Sequence, residues 1–169
     1  VHSHIDHLKA LIELCKKENV DVYYHFFLDG RDVAPRSALE YIKEIENMNY
    51  GKVAIVSGRY YAMDRDNNFD RLKKYYDALV YGEGEVYESA SALVEKSYSV
   101  DVSDEFVVPG IVNKVVLNDN DGVITFNFRK DRLREIFTCL TNPEFHREEA
   151  SKMGLEIKTF NNLCCLTMM

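Results

Sequence analysis

The sequence carries little positive charge. It contains 21 lysines and arginines against 28 aspartates and glutamates, which gives a formal net charge of -7 and a pI near 5.3. Proteins bind nucleic acids and anionic membranes through basic faces that release counterions. We therefore expect neither a nucleic acid nor a membrane as a partner, and we expect the arginines to act locally.

Long apolar runs are also missing. No stretch approaches the ~20 consecutive apolar residues of a membrane-spanning helix, and no charged and then apolar leader precedes a cleavage site. The composition is 46% hydrophobic over 169 residues, which is enough for the core of one domain. We expect a soluble, cytoplasmic protein of one domain or slightly more.

The cysteines lack the paired spacing of metal ligands. There are four of them, Cys15, Cys139, Cys164 and Cys165, and two are sequence neighbours. Because no secretory signal is seen, we expect reduced thiols packed as small apolar groups rather than a redox site. The sequence also contains no internal repeat or low-complexity tract.

Along the chain, short apolar runs, which predict strands, alternate with segments whose apolar residues recur at helical spacing. This alternation is typical of an α/β fold. A first helix is predicted from the recurrence of apolar residues after Ser3, with Ser3 as its N-cap and Asp6 completing a capping box. Further helices are predicted over 38–45, 69–81, 89–98 and 131–140, and strands over 20–28, 53–56, 106–109, 111–117, 123–128 and 163–166. We expect a mostly parallel sheet with helices on both faces, and a small antiparallel excursion at its edge or folded as a flap.

Arginines follow three of these strands. Arg31 follows the first, Arg59 and Arg65 follow the second, and Arg129 and Arg132 follow the strand at 123–128. Open α/β sheets bind ligands outside the carboxyl ends of their strands, and the planar fork of arginine matches the oxygens of phosphate and carboxylate. The sequence therefore predicts a crevice for a small phosphorylated acid.

Other polar residues leave alternatives open. Asp32 is a candidate for acid/base work on a hydroxyl, or else a turn aspartate that caps the next segment. His2 and His4 could bind a metal, although we prefer His2 as a hydrogen-bond donor to a phosphate. His25 is expected to be a core histidine.

Several motifs together resemble those of one enzyme family, the cofactor-independent (2,3-bisphosphoglycerate-independent) phosphoglycerate mutases. The motifs that carry the resemblance are, in chain order, Val1-His2-Ser3-His4, Phe27-Leu28-Asp29-Gly30-Arg31-Asp32, Ser57-Gly58-Arg59-Tyr60-Tyr61-Ala62-Met63-Asp64-Arg65-Asp66, Tyr81-Gly82-Glu83-Gly84 and Asn127-Phe128-Arg129-Lys130-Asp131-Arg132. They cover nearly the whole chain.

The resemblance implies an isomerase of glycolysis, of the alkaline phosphatase superfamily, that interconverts 3-phosphoglycerate and 2-phosphoglycerate. A phosphatase-like domain of the family holds two manganese ions and a serine nucleophile, all outside this chain. This chain would then supply the phosphotransferase (substrate-binding) domain, 1–150, without its first strand, and a return segment, 151–169, toward the absent domain.

By the same resemblance, Asp32 would handle the hydroxyl proton. The substrate-binding residues would be His2, Arg31, Asp32, Arg59, Arg65, Arg129 and Arg132, and no metal ligand is expected in this chain. We expect the chain alone to be inactive as a mutase. The alternatives are a non-catalytic module that binds phosphate and carboxylate, or a metal-dependent hydrolase that uses His2 and His4.

Overall fold

A computed structural model describes residues 2–167. Val1, the first residue of the first motif, and Met168 and Met169, the last two residues of the sequence, lie outside the described residues. The helices are α1 (Ile5–Lys17), α2 (Ala38–Glu46), α3 (Arg59–Ala62), α4 (Phe69–Val80), α5 (Ala90–Ser99), α6 (Arg134–Thr141) and α7 (Pro143–Lys152). The strands are β1 (Tyr23–Leu28), β2 (Lys52–Gly58), β3 (Glu85–Val86), β4 (Gly110–Ile111), β5 (Gly122–Thr125) and β6 (Cys164–Thr167). Short 3₁₀ turns lie at Asp104–Phe106 and Lys130–Arg132.

The main sheet has the strand order β1-β2-β4-β3. β1 pairs with β2 in parallel, from Tyr23 opposite Lys52 to Leu28 opposite Gly58, and β3 pairs with β4 in parallel. β2 and β4 are antiparallel. A second, parallel pair is formed by β5 and β6. The predicted α/β class, mostly parallel with a small antiparallel element, is confirmed.

Helices cover both faces of the main sheet, as expected. The apolar side chains of β2 are divided between two buried clusters, Ala54 and Ile55 in one and Val53 and Val56 in the other, because a central strand presents both of its faces to the core. One cluster includes residues of α4, α6 and α7, and the other includes residues of α1, α2 and α5. The ends of β1 and β2 are thereby held at one edge, where the site lies.

The start of α1 differs from the prediction. His4 is the N-cap, with extended backbone, and its Nδ1 accepts the backbone N–H of Asp6 at 3.3 Å. Ser3 lies one residue too early to reach these amide groups. The imidazole nitrogen here replaces the hydroxyl oxygen that capping statistics favour.

The segment 106–117 was predicted as two strands, and this is wrong. Asp104–Phe106 is a 3₁₀ turn, and only Gly110 and Ile111 pair as β4. β4 lies between β2 and β3, so it is neither a flap nor an edge strand. Beyond β4, the backbone N–H groups of Val112 and Asn113 both donate to the carbonyl oxygen of Ala54. These two residues therefore do not continue the regular hydrogen-bond pattern of paired strands.

Smaller differences concern element ends. β1 begins at Tyr23 instead of residue 20, and it is only half-buried because it has a partner on one side among the described residues. The helix predicted over 131–140 is divided into the 3₁₀ turn and α6. Pro143 ends α6 and also starts α7, since proline is well suited to the first turn of a helix.

Two further observations concern the described part of the chain. All four cysteines have free thiols. None of the helices between residues 2 and 167 combines the length and the apolarity that crossing a membrane requires.

Candidate functional site

Arg59 is the centre of the candidate site. It is the first residue of α3, directly after β2, and only 4% of its surface is exposed. Its Nη1 donates to Asp29 Oδ1 at 2.6 Å and to Asp32 Oδ2 at 3.2 Å. Burial alone would lower the pKa of Arg59, but these two carboxylates outweigh it and raise the pKa. The guanidinium is therefore a permanently charged group held inside the protein.

The loop after β1 is ordered by Asp29. Its Oδ1 accepts the backbone N–H groups of Arg31 at 3.2 Å and Asp32 at 3.1 Å, which is the geometry of an Asx turn. Asp29 therefore makes the turn contacts that the sequence reading allowed for Asp32. The Asp32 carboxylate is left free to face Arg59, whose hydrogen bond lowers the pKa of Asp32.

His2 adjoins the same pair of residues. The Nη2 of Arg59 lies 3.1 Å from His2 Nε2, and His2 Nδ1 lies 3.2 Å from Asn127 Oδ1. Burial, and then the charge of Arg59, lower the pKa of His2. A neutral ring that donates from Nδ1 to Asn127 and accepts from Arg59 at Nε2 satisfies both contacts. Protonation would add an ion pair with Asp32 Oδ2, which lies 3.2 Å away.

A second group of charges joins the two arginine-bearing loops. Arg65 Nη1 donates to Asp131 Oδ2 at 2.6 Å, and Arg129 Nη2 donates to the same oxygen at 3.1 Å. Arg65, and then Arg129, lower the pKa of Asp131 to about 2. All three side chains are about 40% exposed, so both guanidinium groups remain accessible to a ligand.

Arg132 is less well satisfied. Its Nη1 donates to the carbonyl of Met63 at 3.3 Å. Its Nε is buried and has no hydrogen-bond acceptor among the described residues. Burial, followed by the charges of Arg65 and Arg59, lowers the pKa of Arg132. A buried donor without an acceptor is uncommon in proteins, so the guanidinium of Arg132 is incompletely paired within the described residues.

Arg31 lies at the rim of this group. It is 63% exposed, and its Nη1 lies 3.4 Å from Glu105 Oε1. Six of the seven predicted substrate-binding residues fall into neighbouring groups: one group is centred on Arg59, a second on Asp131, and Arg132 lies within electrostatic range of both, whereas Arg31 is paired to a different segment. The six are His2, Asp32, Arg59, Arg65, Arg129 and Arg132.

The arginines do not converge in the way the sequence predicted. β1 and β2 end side by side, so Asp32 and Arg59 meet as expected from parallel strands. β5 belongs to the second sheet. Arg129 is held at the site because its backbone N–H donates to Asn127 Oδ1 at 3.0 Å, and the same oxygen also contacts His2 Nδ1. Arg132 belongs to the 3₁₀ turn before α6, not to the start of a helix.

The floor of the site depends on two glycines. A Cβ on Gly58 would lie 2.2 Å from the carbonyl oxygen of Glu105, and a Cβ on Gly30, whose φ is +60°, would lie 2.8 Å from the Cβ of Asp104. The buried Asp104 in turn accepts the first amides of α2, from Ser37 and Ala38. Residues 104–105 thus pack tightly beneath both loops and fix their spacing.

Several residues of the site were not anticipated from the sequence. Asn127 links His2 to Arg129: its Oδ1 lies 3.2 Å from His2 Nδ1 and accepts the backbone N–H of Arg129 at 3.0 Å. Asp64 and Glu135 are both buried beside the arginines, and burial raises the pKa of Glu135 to about 7. Glu135 stands out only because its carboxyl group is buried, and the sequence alone cannot show that burial.

The histidines do not assemble a metal site in the described chain. The ring of His4 is 63% exposed and caps α1, while His2 faces Arg59. Among residues 2–167, no three His, Cys, Asp or Glu side chains gather closely enough to hold a metal ion. His25 lies against Tyr75, with its Nδ1 3.3 Å from the hydroxyl oxygen, as expected of a core histidine.

Comparison with known proteins gives a consistent result. The family model "BPG-independent PGAM N-terminus" matches residues 1–169. A 2,3-bisphosphoglycerate-independent phosphoglycerate mutase of Clostridium perfringens is 47% identical over 177 residues, which covers 99% of this chain and 33% of the relative. The corresponding protein of Listeria monocytogenes is 51% identical over 155 residues, which covers 86% of this chain and 30% of the relative. The chain thus spans about a third of the length of these curated relatives.

A solved structure shares the fold. Crystal structures of Leishmania mexicana phosphoglycerate mutase at low cobalt concentration include a chain that superposes with a TM-score of 0.85 and 24% identity. The match covers 100% of the present chain and 33% of that chain.

Proposed function

Because this chain belongs to the 2,3-bisphosphoglycerate-independent phosphoglycerate mutases and matches their N-terminal family model over residues 1–169, we propose that it is the substrate-holding part of such an enzyme. The enzyme would interconvert 3-phosphoglycerate and 2-phosphoglycerate in glycolysis, in the cytoplasm. The isolated chain would bind these acids without turning them over.

One observation supports this proposal above the others. Within residues 2–167, the buried Nε of Arg132 has no acceptor, and Arg132 lies within electrostatic range of Arg65 and Arg129, two accessible guanidinium groups that share the carboxylate of Asp131. Taken by themselves, these three guanidinium groups and the Asp131 carboxylate carry a net charge of +2. A phosphate and a carboxylate on a three-carbon acid carry the complementary charge and can accept paired hydrogen bonds from arginine.

The remaining roles follow from the environment of each residue. Arg129, Arg132 and Arg65 would bind the phosphate or carboxylate oxygens, and Arg31 would close the rim. Arg59 keeps Asp32 ionised, so Asp32 would accept and return the proton of the substrate hydroxyl. His2 would orient that hydroxyl as a neutral ring, and it would donate to the phosphate when its Nε2 carries a proton. Arg59 would act mainly by holding Asp32 and His2 in place.

The phosphoryl transfer itself needs groups that the described residues do not provide. By the family resemblance, these would be a serine nucleophile and manganese ions in a phosphatase-like domain of the alkaline phosphatase superfamily. The described residues do not fit a metal site, so we assign the chain no step at a metal. Positioning supplies part of a catalysed rate, and covalent transfer requires the nucleophile.

The proposal is tested by adding 3-phosphoglycerate to the isotopically labelled chain and recording amide NMR spectra. We expect shifts in the segments 29–32, 59–66 and 129–132. Arg132→Ala is expected to weaken binding by roughly 10- to 100-fold, because each charge-assisted hydrogen bond contributes roughly 1.5–3 kcal/mol. Arg134→Ala, an exposed neighbour on α6, is the matched control and is expected to bind normally.

The outcomes separate the competing functions. If 3-phosphoglycerate produces no shift in a folded chain, the proposal is wrong. If it binds, and the remaining two thirds of a relative added in trans restores mutase activity, the chain is a working part of the enzyme. Binding without restored activity favours the non-catalytic module. Stoichiometric manganese or zinc in the purified chain, lost in His2→Ala, would instead favour the hydrolase.

A further inference from the structure

Two buried carboxyl groups lie close in sequence to Arg65 and Arg132 without belonging to the predicted site. Asp64 precedes Arg65, and Glu135 is the second residue of α6, shortly after the 3₁₀ turn that carries Arg132. Their exposed fractions are 6% and 3%. Buried carboxylates are costly unless they are paired with a cation or fully hydrogen-bonded.

Asp64 has its hydrogen bonds in place. Its Oδ2 accepts the backbone N–H groups of Asp66 at 3.0 Å and Asn68 at 2.9 Å, and its Oδ1 accepts the Asn68 side chain at 3.0 Å. Arg71 Nη1 lies 3.7 Å from the same Oδ1. Burial by itself would raise the pKa of Asp64, but the bonds from Asn68 and Asp66 outweigh it and lower the pKa. Asp64 is therefore the ionised partner.

Glu135 has a different environment. Its Oε2 accepts the backbone N–H of Asn67 at 3.0 Å. Its Oε1 is buried and accepts no hydrogen bond from any residue that the structure describes. A carboxylate would leave this oxygen unsatisfied, whereas a carboxylic acid can use it as a donor toward a neighbouring acceptor. The neighbouring acceptor is Asp64: the two carboxyl groups accept from the consecutive backbone N–H groups of residues 66–68, and each carboxyl group shifts the pKa of the other.

The surrounding charges favour the same protonation state. Burial, and then the charge of Asp64, raise the pKa of Glu135 to about 7, and Asp66 acts in the same direction. Cys139, one turn further along α6, also interacts electrostatically with Glu135. Arg71 contacts Asp64, and no contact between Arg71 and Glu135 is seen within residues 2–167.

We propose that Asp64 and Glu135 share one proton and act as positioning residues, joining the loop that carries Arg65 to the turn that carries Arg132. This inference rests on the proposed function of those arginines. Asn67 binds Glu135 directly, so the whole 64–68 loop is attached to α6 through this pair. When the proton is lost, two adjacent negative charges repel, and the two arginine segments separate.

The pair can be tested without a ligand. Side-chain carboxyl and arginine Nε–H NMR signals are followed from about pH 5 to about pH 9, which brackets the shifted midpoint. We expect Glu135 to titrate near 7 and the Nε–H signals of Arg65 and Arg132 to shift with the same midpoint. In Glu135→Gln, which keeps a donor but cannot ionise, these arginine shifts should disappear. Glu95→Gln, an exposed helical glutamate on α5, is the matched control.

A binding measurement connects the pair to the ligand. The affinity for 3-phosphoglycerate is compared at about pH 6 and about pH 8, where Glu135 changes state. The ligand phosphate also titrates, with a second pKa near 6, so the informative quantity is the difference between wild type and Glu135→Gln. We expect the wild type to lose about tenfold more affinity than the variant across this range, a coupling typical of linked sites.

The inference is wrong if Glu135 titrates near the ordinary value of a glutamate, or if Arg65 and Arg132 do not respond when it titrates. Should Glu135→Gln fail to fold, Asp64→Asn provides the second test, since removing that charge must lower the midpoint of Glu135. If 3-phosphoglycerate binds no variant, the proposed function fails, while the arginine titration still decides the inference.

Discussion

Replacing Arg59 by alanine is the most informative single perturbation of this protein. The guanidinium is 4% exposed and contacts Asp29 at 2.6 Å, Asp32 at 3.2 Å and His2 at 3.1 Å. Its removal leaves two carboxylates close together without their cation. It also removes the donor to His2 Nε2 and opens a cavity at the start of α3.

The expected loss follows from the burial of each partner. Removing one partner of a buried ion pair costs about 3–5 kcal/mol. Asp29 and Asp32 are 27% and 38% exposed, so water screens them, and we reduce the loss to about 2–3 kcal/mol. For a urea dependence of about 2 kcal/mol per molar, the unfolding midpoint falls by about 1 M.

The assay is equilibrium urea unfolding followed by circular dichroism. Arg59→Lys keeps the charge but lacks the fork that reaches three groups, so it should fall between Arg59→Ala and the wild type. Arg134→Ala, which changes an exposed arginine, should leave the midpoint unchanged. A midpoint for Arg59→Ala within about 0.2 M of the wild type would refute the reasoning, because the buried ion pairs would then contribute nothing to stability.

Three further predictions concern other parts of the structure. Arg65, and then Arg129, lower the pKa of Asp131 to about 2, so the stability that these ion pairs contribute is present above the ordinary carboxyl pKa and is lost as the pH falls toward 2. In Arg65→Gln the pKa of Asp131 should rise. A carboxyl NMR titration that shows no change in this variant would contradict the prediction. Gly58→Ala should destabilise the protein by about 1–3 kcal/mol, because the new Cβ would lie 2.2 Å from the Glu105 carbonyl oxygen. Gly122→Ala is the control, since a Cβ there meets nothing within 4 Å. Equal urea midpoints for the two variants would show that the 104–105 segment moves aside at little cost. Burial lowers the pKa of His25 to about 4, so stability falls as the pH drops from 6.5 toward 4, and ring NMR shifts that titrate near 6.5 would disprove it.

The parts of the fold that the sequence predicted are those with a strong local signal. The helical spacing over 38–45 and 69–81 matches α2 and α4 closely, and the apolar run of β2 is too regular to miss. Two-residue strands such as β3 and β4 leave no periodicity to detect. The pairing of β5 with β6 joins residues about forty apart, and no local pattern specifies a partner at that distance.

The candidate site was predictable where charged residues follow strands. Asp32 and Arg59 meet because β1 and β2 are parallel neighbours, which the sequence pattern indicated. The contributions of Asn127 and Glu135 depend on contacts across more than sixty residues of sequence. The turn role of Asp29 is a local effect, because its Oδ1 accepts the backbone N–H groups of the nearby Arg31 and Asp32.

The bridge from Arg65 through Asp131 to Arg129 has a consequence for how an anion enters. Both guanidinium groups are already neutralised in part by a carboxylate of the protein itself. An incoming phosphate must therefore compete with Asp131, and the net affinity is the difference between two similar interactions. Such an exchange keeps the resting site ordered and permits rapid release of a bound anion.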